Sequence, residues 1–327
     1  MKFARRQALS WAVPAGAMLA APAFAQTWPT RSITLVVPFA PGGNVDSVAR
    51  ILAPELSRRL GQTVVIENAT GAGGTIGMER VARAAPDGHT FVVAVESTMA
   101  IAQFVTPGIV RYDARRDFAP VAMLATLPLS LVGRPDLPAA DLPALIELAR
   151  RATQGLTYAT SGTGTSLHLL GEIIAGRTGA RLEHVPYRIA AQIPTDLIGG
   201  RLDLAVLAVT ITAPLVREGR VRGYAVSAAT PHASMPGVPP LASLPAMAGF
   251  AMEVWQGVFA PIRTDRAVVE RLAAEIAMAM GEAEQQRRLE GIGMTGSTLS
   301  LEALGRLVDS EIERYQAVVR AANIRLD

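Results

Sequence analysis

The sequence has no cysteine and, beyond Lys2, no lysine. The first absence removes disulfides, thiolate nucleophiles and thiolate metal sites together. A chain of 327 residues does without such staples, because about 300 residues bury roughly three quarters of the unfolded surface and usually divide into two domains. The second absence leaves the positive charge on arginines scattered among acids. No cluster of Lys and Arg able to neutralise phosphates is present, which excludes nucleic acid as a partner. The four histidines, His89, His168, His184 and His232, lie far apart and form no His-Glu-x-x-His pattern, so neither a metal nor any other cofactor is expected. Gly-x-Ser-x-Gly is missing as well. A hydrolase built on Ser161 and His168 is therefore the weaker of the readings open to this chain.

What the N-terminus does contain is an export signal. Lys2, Arg5 and Arg6 precede an apolar stretch over residues 8–24, and Ala23-Phe24-Ala25 stands before Gln26. The small-x-small site predicts cleavage after Ala25 and a mature protein in the periplasm. Pro14, Gly16 and Pro22 interrupt the stretch, which is also short for a membrane span. The adjacent arginines suit a twin-arginine route too, although Ala4 replaces the usual Ser or Thr. The formal charge of +3 resides wholly in this segment, so the mature chain is balanced at zero.

Short β-branched runs at 33–39, 63–67, 91–95, 121–125, 129–132, 204–209 and 223–227 predict strands, separated by amphipathic segments of helical length. Strands flanked by helices imply an α/β fold with a mostly parallel, covered sheet. Val45, Val48, Leu52, Leu56 and Leu60 mark the first helix, which Pro54 should kink or split. Residues 268–287 and 301–321 predict two long C-terminal helices, the second with Ser300 as N-cap. The proline-rich stretch 231–245 is a candidate connector, and with the strand near Val121 it suggests two chain crossings between lobes.

Glycines at strand-to-helix turns supply the candidate chemistry. Phe39 and Ala40 end the first strand, and Pro41, Gly42 and Gly43 turn the chain into a helix whose first turn holds Asp46. Such a turn lets backbone amides approach a carboxylate or phosphate, and the helix dipole adds to the attraction. Asp46 reads equally well as a surface acid that stabilises the dipole or as a ligand contact. Ser161, Gly162, Thr163, Gly164 and Thr165 make a second turn of the same kind in the other half of the chain. Two cradles, one per lobe, are what a clamshell needs. Ser97, after the strand at 91–95, is a candidate hydroxyl donor, whereas Glu96 would repel an anion unless turned away. The glycines at 71–74 fit no phosphate-loop or dinucleotide pattern and read as a tight structural turn. Gly199-Gly200 reads as a helix end, His168 as a packing or hydrogen-bonding residue, and Trp255 as core near the hinge.

In combination these segments are familiar. Pro38-Phe39-Ala40-Pro41-Gly42-Gly43 with Asp46, Glu67-Asn68 with Gly71-Ala72-Gly73-Gly74, Ala85-Pro86-Asp87-Gly88, Ser161-Gly162-Thr163-Gly164-Thr165 with His168-Leu169, Val185-Pro186-Tyr187, and Thr195-Asp196-Leu197 with Gly199-Gly200 and Asp203 resemble the Bug-type extracytoplasmic solute receptors. These are the substrate-binding proteins of the tripartite tricarboxylate transporter systems. The resemblance covers the mature chain in order. It implies a type II periplasmic-binding-protein fold, with two α/β lobes, a two-strand hinge and a carboxylated ligand in the cleft. Lobe 1 would be 26–125 with 249–327, lobe 2 would be 126–248, and the two turns above would be the anion cradles.

Three departures bear on the ligand. Family members commonly have Thr where Val45 stands, Lys-Gly where Arg188-Ile189 stands, and an Asp-Asn-like pair where Leu207-Ala208 stands. An apolar lining at Val45, Ile189 and Leu207 predicts a mono- or dicarboxylate with an apolar or aromatic remainder rather than citrate, since unpaired buried polar groups lose about 1–3 kcal/mol. Tyr187 and Arg188 would close on it from lobe 2. The expected product is a non-enzymatic, monomeric receptor serving membrane transporter subunits, or alternatively a membrane sensor kinase.

Overall fold

The protein is described by a computed structural model over residues 28–187, 190–322 and 324. The expected export signal, and the candidate ligand residue Arg188 with Ile189, lie outside the described residues.

The first half begins with β1 (Ile33–Val37), α1 (Asn44–Leu60), β2 (Val64–Asn68), α2 (Thr75–Ala82) and β3 (Thr90–Val95). Strand β1 lies between β2 and β3, parallel to both. Covered on both faces, it is apolar at every position but Thr34, which explains its unbroken run of hydrophobic residues. Helix α1 lays Val45, Val48, Leu52 and Leu56 into the core and ends on Gly61 in the left-handed conformation. Pro54 does not split it. Pro54 and Arg50, whose carbonyl loses its helical partner, both lie on the exposed face, where water replaces the missing bond.

After a wide π turn at Ser97–Ile101 and the short α3 (Ala102–Val105), β4 runs from Phe118 to Gly133. The two strands expected at 121–125 and 129–132 are therefore one. The apparent break is Pro128, the last β4 residue to pair with β9 (Glu253–Pro261), before Leu129 takes up β7 (Leu204–Ala208). A residue without an N–H is tolerated at such a changeover.

The second half holds α4 (Leu142–Arg151), β5 (Leu156–Thr160), α5 (Ser166–Thr178), β6 (Leu182–Pro186), α6 (Ile193–Ile198), α7 (Val209–Arg217) and β8 (Arg222–Val226) around β7. Gly199 and Gly200 end α6 as expected. The sheet order is β2-β1-β3-β9-β4-β7-β5-β6, with β8 also on β4. The stretch 231–245 does not make the return crossing. It stays on the second half through a bridge between Val226 and Pro240, and the chain crosses back as it enters β9. Strands β4 and β9 are thus the two connections between the halves.

The C-terminal segment expected as one helix over 268–287 is two, α8 (Arg266–Gly281) and α9 (Ala283–Gly291). Gly281 weakens the helix, and Glu282, in extended conformation, pairs instead with Arg59 of α1 at 2.5 Å. The two-residue β10 (Thr295–Gly296) then pairs with β4. Helix α10 (Leu301–Ala321) spans the expected residues and buries Leu304, Val308, Ile312, Tyr315 and Val319. Ser300 occupies the N-cap position, but its hydroxyl makes no capping bond. Among the described residues no helix is long and apolar enough to cross a membrane.

Candidate ligand-binding cleft

The first turn is organised by Asp46, which is 1% exposed and so is not a surface acid. Its carboxylate accepts from the Gly42 amide (2.8 Å), from Arg50 Nε (2.8 Å) and from Asn68 Nδ2 (3.0 Å). The Arg50 guanidinium, with the Gly42 amide and Asn68, holds the carboxyl down at about 2. Asn68 also donates to the Phe39 carbonyl, so the end of β2 fixes both sides of the turn. The Gly43 amide is used as well, by the Ala40 carbonyl at 3.3 Å. Among the described residues the amides without a protein acceptor are therefore the next ones, Asn44, Val45 and Asp46, at the start of α1. Ala40, Pro41, Gly42 and Gly43 are exposed around them.

The second turn is built differently. Gly162 and Gly164 have φ of 137° and 75°, conformations that a side chain disfavours. Thr165 caps α5 by accepting from the His168 amide at 3.3 Å, and it donates to the Gly162 carbonyl at 2.8 Å. The Gly164 amide donates to His168 Nδ1 at 3.0 Å. That leaves the proton on Nε2, 3.6 Å from Glu172 Oε1, which also receives the Tyr158 hydroxyl at 2.7 Å. The His184 ring stacks on His168 at 3.8 Å, with Nε2 2.7 Å from Thr160 Oγ1. Burial, and then the neighbouring His168, push His184 down to about 4. The amides of Thr163, Thr165, Ser166 and Leu167 have no protein acceptor among the described residues. Ser161 is exposed at the rim, and no bond joins it to His168, whose ring is committed elsewhere.

Between the turns, the half-buried Phe39 sits against Gly74, where a Cβ would come within 3.1 Å of its ring and 2.9 Å of Thr98. The glycines at 71–74 thus let the start of α2 approach the floor of the cleft. Ser97, half-buried, opens the π turn at the carboxyl end of β3, a distortion that recurs at functional sites. Glu96 is 2% exposed, and burial raises its carboxyl to about 8, the Glu311 carboxylate adding to this. Burial thus favours its neutral form, in which it does not repel an anion. The two halves touch here. A Cβ on Gly164 would lie 2.3 Å from Val105 Cγ1, and one on Gly293 2.4 Å from Thr210 Cγ2.

Other expected contacts fall elsewhere. Leu207, 1% exposed, is packed among Ile193, Leu197 and Val209, and Val45 lies in the core beneath α1. Their side chains are core residues, so the case for an apolar or aromatic remainder loses two of its three supports. The Tyr187 hydroxyl donates to Asp196 at 2.7 Å. Trp255 is core, as expected, and donates to Glu311 at 2.6 Å. A cavity of about 600 Å³ between α5 and α10, lined by Arg177, Phe250, Arg314 and Val318 among others, is separate from both turns.

Two α/β halves joined by two strands, with open helix starts at the carboxyl ends of β1 and β5, define a two-lobed solute-binding protein of the type II periplasmic-binding-protein fold. The profile of the tripartite tricarboxylate transporter family receptor matches residues 48–324, and the chain belongs to that family. It is 40% identical over 293 residues to a protein encoded in the tcbD-tcbE intergenic region of Pseudomonas sp. strain P51, covering 89% of this chain and 86% of that one. Rpa4515 of R. palustris, solved with adipate, superposes with a TM-score of 0.78 at 33% identity, covering 91% of this chain and all of that one. MatC from Rhodopseudomonas palustris, solved with bound malate, does so with a TM-score of 0.73 at 32% identity, covering 89% of this chain and all of that one.

Proposed function

We propose that this chain is a periplasmic receptor that closes on a small organic carboxylate and delivers it, chemically unchanged, to the membrane subunits of a tripartite transporter. The observation that carries the reading is the pair of open helix starts, Asn44 to Asp46 and Thr165 to Leu167, in opposite halves that touch where Gly164 meets Val105. Unpaired amides at a helix N-terminus favour a carboxylate by hydrogen bonding and by dipole. The adipate and malate of the two similar structures support a dicarboxylate of four to six carbons.

In this reading the lobes are 26–125 with 249–327 and 126–248, and the receptor works as a monomer. The ligand enters against Phe39, Ala40 and the 41–46 turn of the first lobe. The 161–165 turn then completes the shell, with Ser97 and Tyr187 at its edges and Arg188 proposed as the closing cation. Asp46 acts by holding the turn. Native mass spectrometry of ligand carried through purification, followed by calorimetry with malate and adipate, tests the proposal. A named carboxylate binding one to one and recovered intact is the expected result. A protein indifferent to organic acids, or one that converts them, sinks it.

A further inference from the structure

Glu96 is a buried titratable group that the anion cradles do not use. It follows the last residue of β3, at the carboxyl end where ligands of this fold bind. Its Oε2 is buried without a hydrogen-bond partner. The Ser166 hydroxyl, from the first residue of α5 in the other half, and the Trp255 amide, from β9, approach its carboxyl. From α10 it faces Glu311 and Tyr315. The nearby cation, Arg314, is spent on Glu311 at 2.7 Å and on the Tyr315 hydroxyl at 3.0 Å. Glu311 itself is held by Trp255 Nε1. Among the described residues no cation packs on Glu96; the Ser166 hydroxyl and the Trp255 amide favour a negative charge there, but burial outweighs them and Glu311 opposes it.

Resting on the hinge-closure reading above, we propose that Glu96 is a proton-coupled latch between the lobes, so that closing of the cleft takes up one proton at its carboxyl. In the closed form Ser166 and α10 shut the group away from water, and an unpaired carboxylate there is disfavoured. Opening withdraws α5, water reaches the carboxyl, and it ionises as an ordinary glutamate. The closed form then binds one proton more than the open form, between the usual glutamate value of 4.5 and about 8. Closing weakens as pH rises through that window, by up to about tenfold per pH unit, and levels off above it. Glu96 is a positioning residue, and its effect on the ligand runs through the lobe equilibrium.

The cysteine-free chain makes a direct test available without any ligand. Ile76→Cys on α2 and Ile211→Cys on α7, both exposed, carry a spin-label pair whose distance reports closure. The expected result is a short distance at pH 5 that lengthens by pH 9, and a distance independent of pH in Glu96→Gln. A pH-independent distance in the parent, or the same dependence in Glu96→Gln, overturns the latch. If Glu96→Gln does not fold, Glu311→Gln decides. Removing the opposing charge moves the midpoint to lower pH, and an unmoved midpoint counts against the proposal. Calorimetry with malate and adipate at pH 7, in buffers of different ionisation enthalpy, is then expected to show net proton uptake that vanishes in Glu96→Gln. Failure of both acids to bind would strike the carboxylate reading alone, because the label distances still decide the latch.

Discussion

Asp46 illustrates how much a single carboxylate organises at the start of α1. Its three donors come from the turn, from its own helix one turn on, and from β2. The spacing to Arg50 is legible as an i,i+4 pair, and Asn68 stands in the sequence beside Glu67. What spacing does not reveal is that the carboxylate faces inward and fixes the turn, because that depends on β2 lying next to β1. Asp46→Asn is expected to keep the shape and lose the charge, leaving Arg50 and Gly42 poorly matched. Urea denaturation at pH 7 should show a loss of about 1.5–3 kcal/mol, the range for hydrogen bonds to charged groups, together with weaker ligand binding. The pH dependence has a definite sign. The folded carboxyl titrates at about 2 against 3.8 for a free one, so the contribution is whole above 3.8 and is lost as pH falls through 2. A variant as stable as the parent at neutral pH would refute this role.

The strand-to-helix turn is the element that sequence exposes best. Glycines between a β-branched run and a helical period mark both turns, and each stands between a strand and a helix as expected. The details that escaped are tertiary. Gly42 and Gly43 spend their amides inside the turn, so the open donors begin at Asn44. Val45 and Leu207 are expected as cleft lining because they stand where the resembled family commonly has polar residues, yet strand and helix alternation send their side chains into cores. Gly164 has a positive φ and also packs on Val105 from the other half. Gly164→Ala should therefore impair closing while leaving secondary structure intact, with affinity reduced at least about tenfold. Val105→Ala in the same chain should restore part of the loss. Calorimetry on the two variants checks this, and unaltered binding by Gly164→Ala would contradict the close approach.

The imidazole stack beneath the second turn makes a separate prediction at this scale. His184 titrates at about 4 in the folded protein against 6.5 when free, so between those values the unfolded chain binds the extra proton. Stability should fall as pH drops from 6.5 to 4 and flatten below. His184→Gln keeps a polar partner for Thr160 without titrating, and in that variant the slope attributable to this ring should disappear. Melting curves across the window measure it.

On the scale of the whole molecule, β4 and β9 make the two connections between the halves, and Ser227 ties these passages together. It is wholly buried. Its backbone amide donates to the Leu129 carbonyl and its hydroxyl accepts from the Leu129 amide, both at 2.8 Å. Its carbonyl accepts from the Met252 amide at 2.9 Å, and its hydroxyl donates to the Met252 carbonyl. Leu129 opens the second-half pairing of β4, and Met252 directly precedes β9. Composition and periodicity gave no reason to single out a serine at the end of a strand, because its importance arises only where two crossings meet. Ser227→Ala leaves a buried Leu129 amide and a buried Met252 carbonyl each short of a partner. At about 1–3 kcal/mol for each buried group left unmet, a loss of several kcal/mol in urea denaturation is expected, with faster hydrogen exchange at both residues. A carboxylate that binds only the closed form should recover part of that loss, by about 2.7 kcal/mol at one hundred times its Kd. Small-angle scattering should record compaction on adding ligand in parent and variant alike, since the variant loosens the hinge without touching the cradles. If the variant melts like the parent, or if compaction is absent from both, the two crossings are not the axis on which the protein closes.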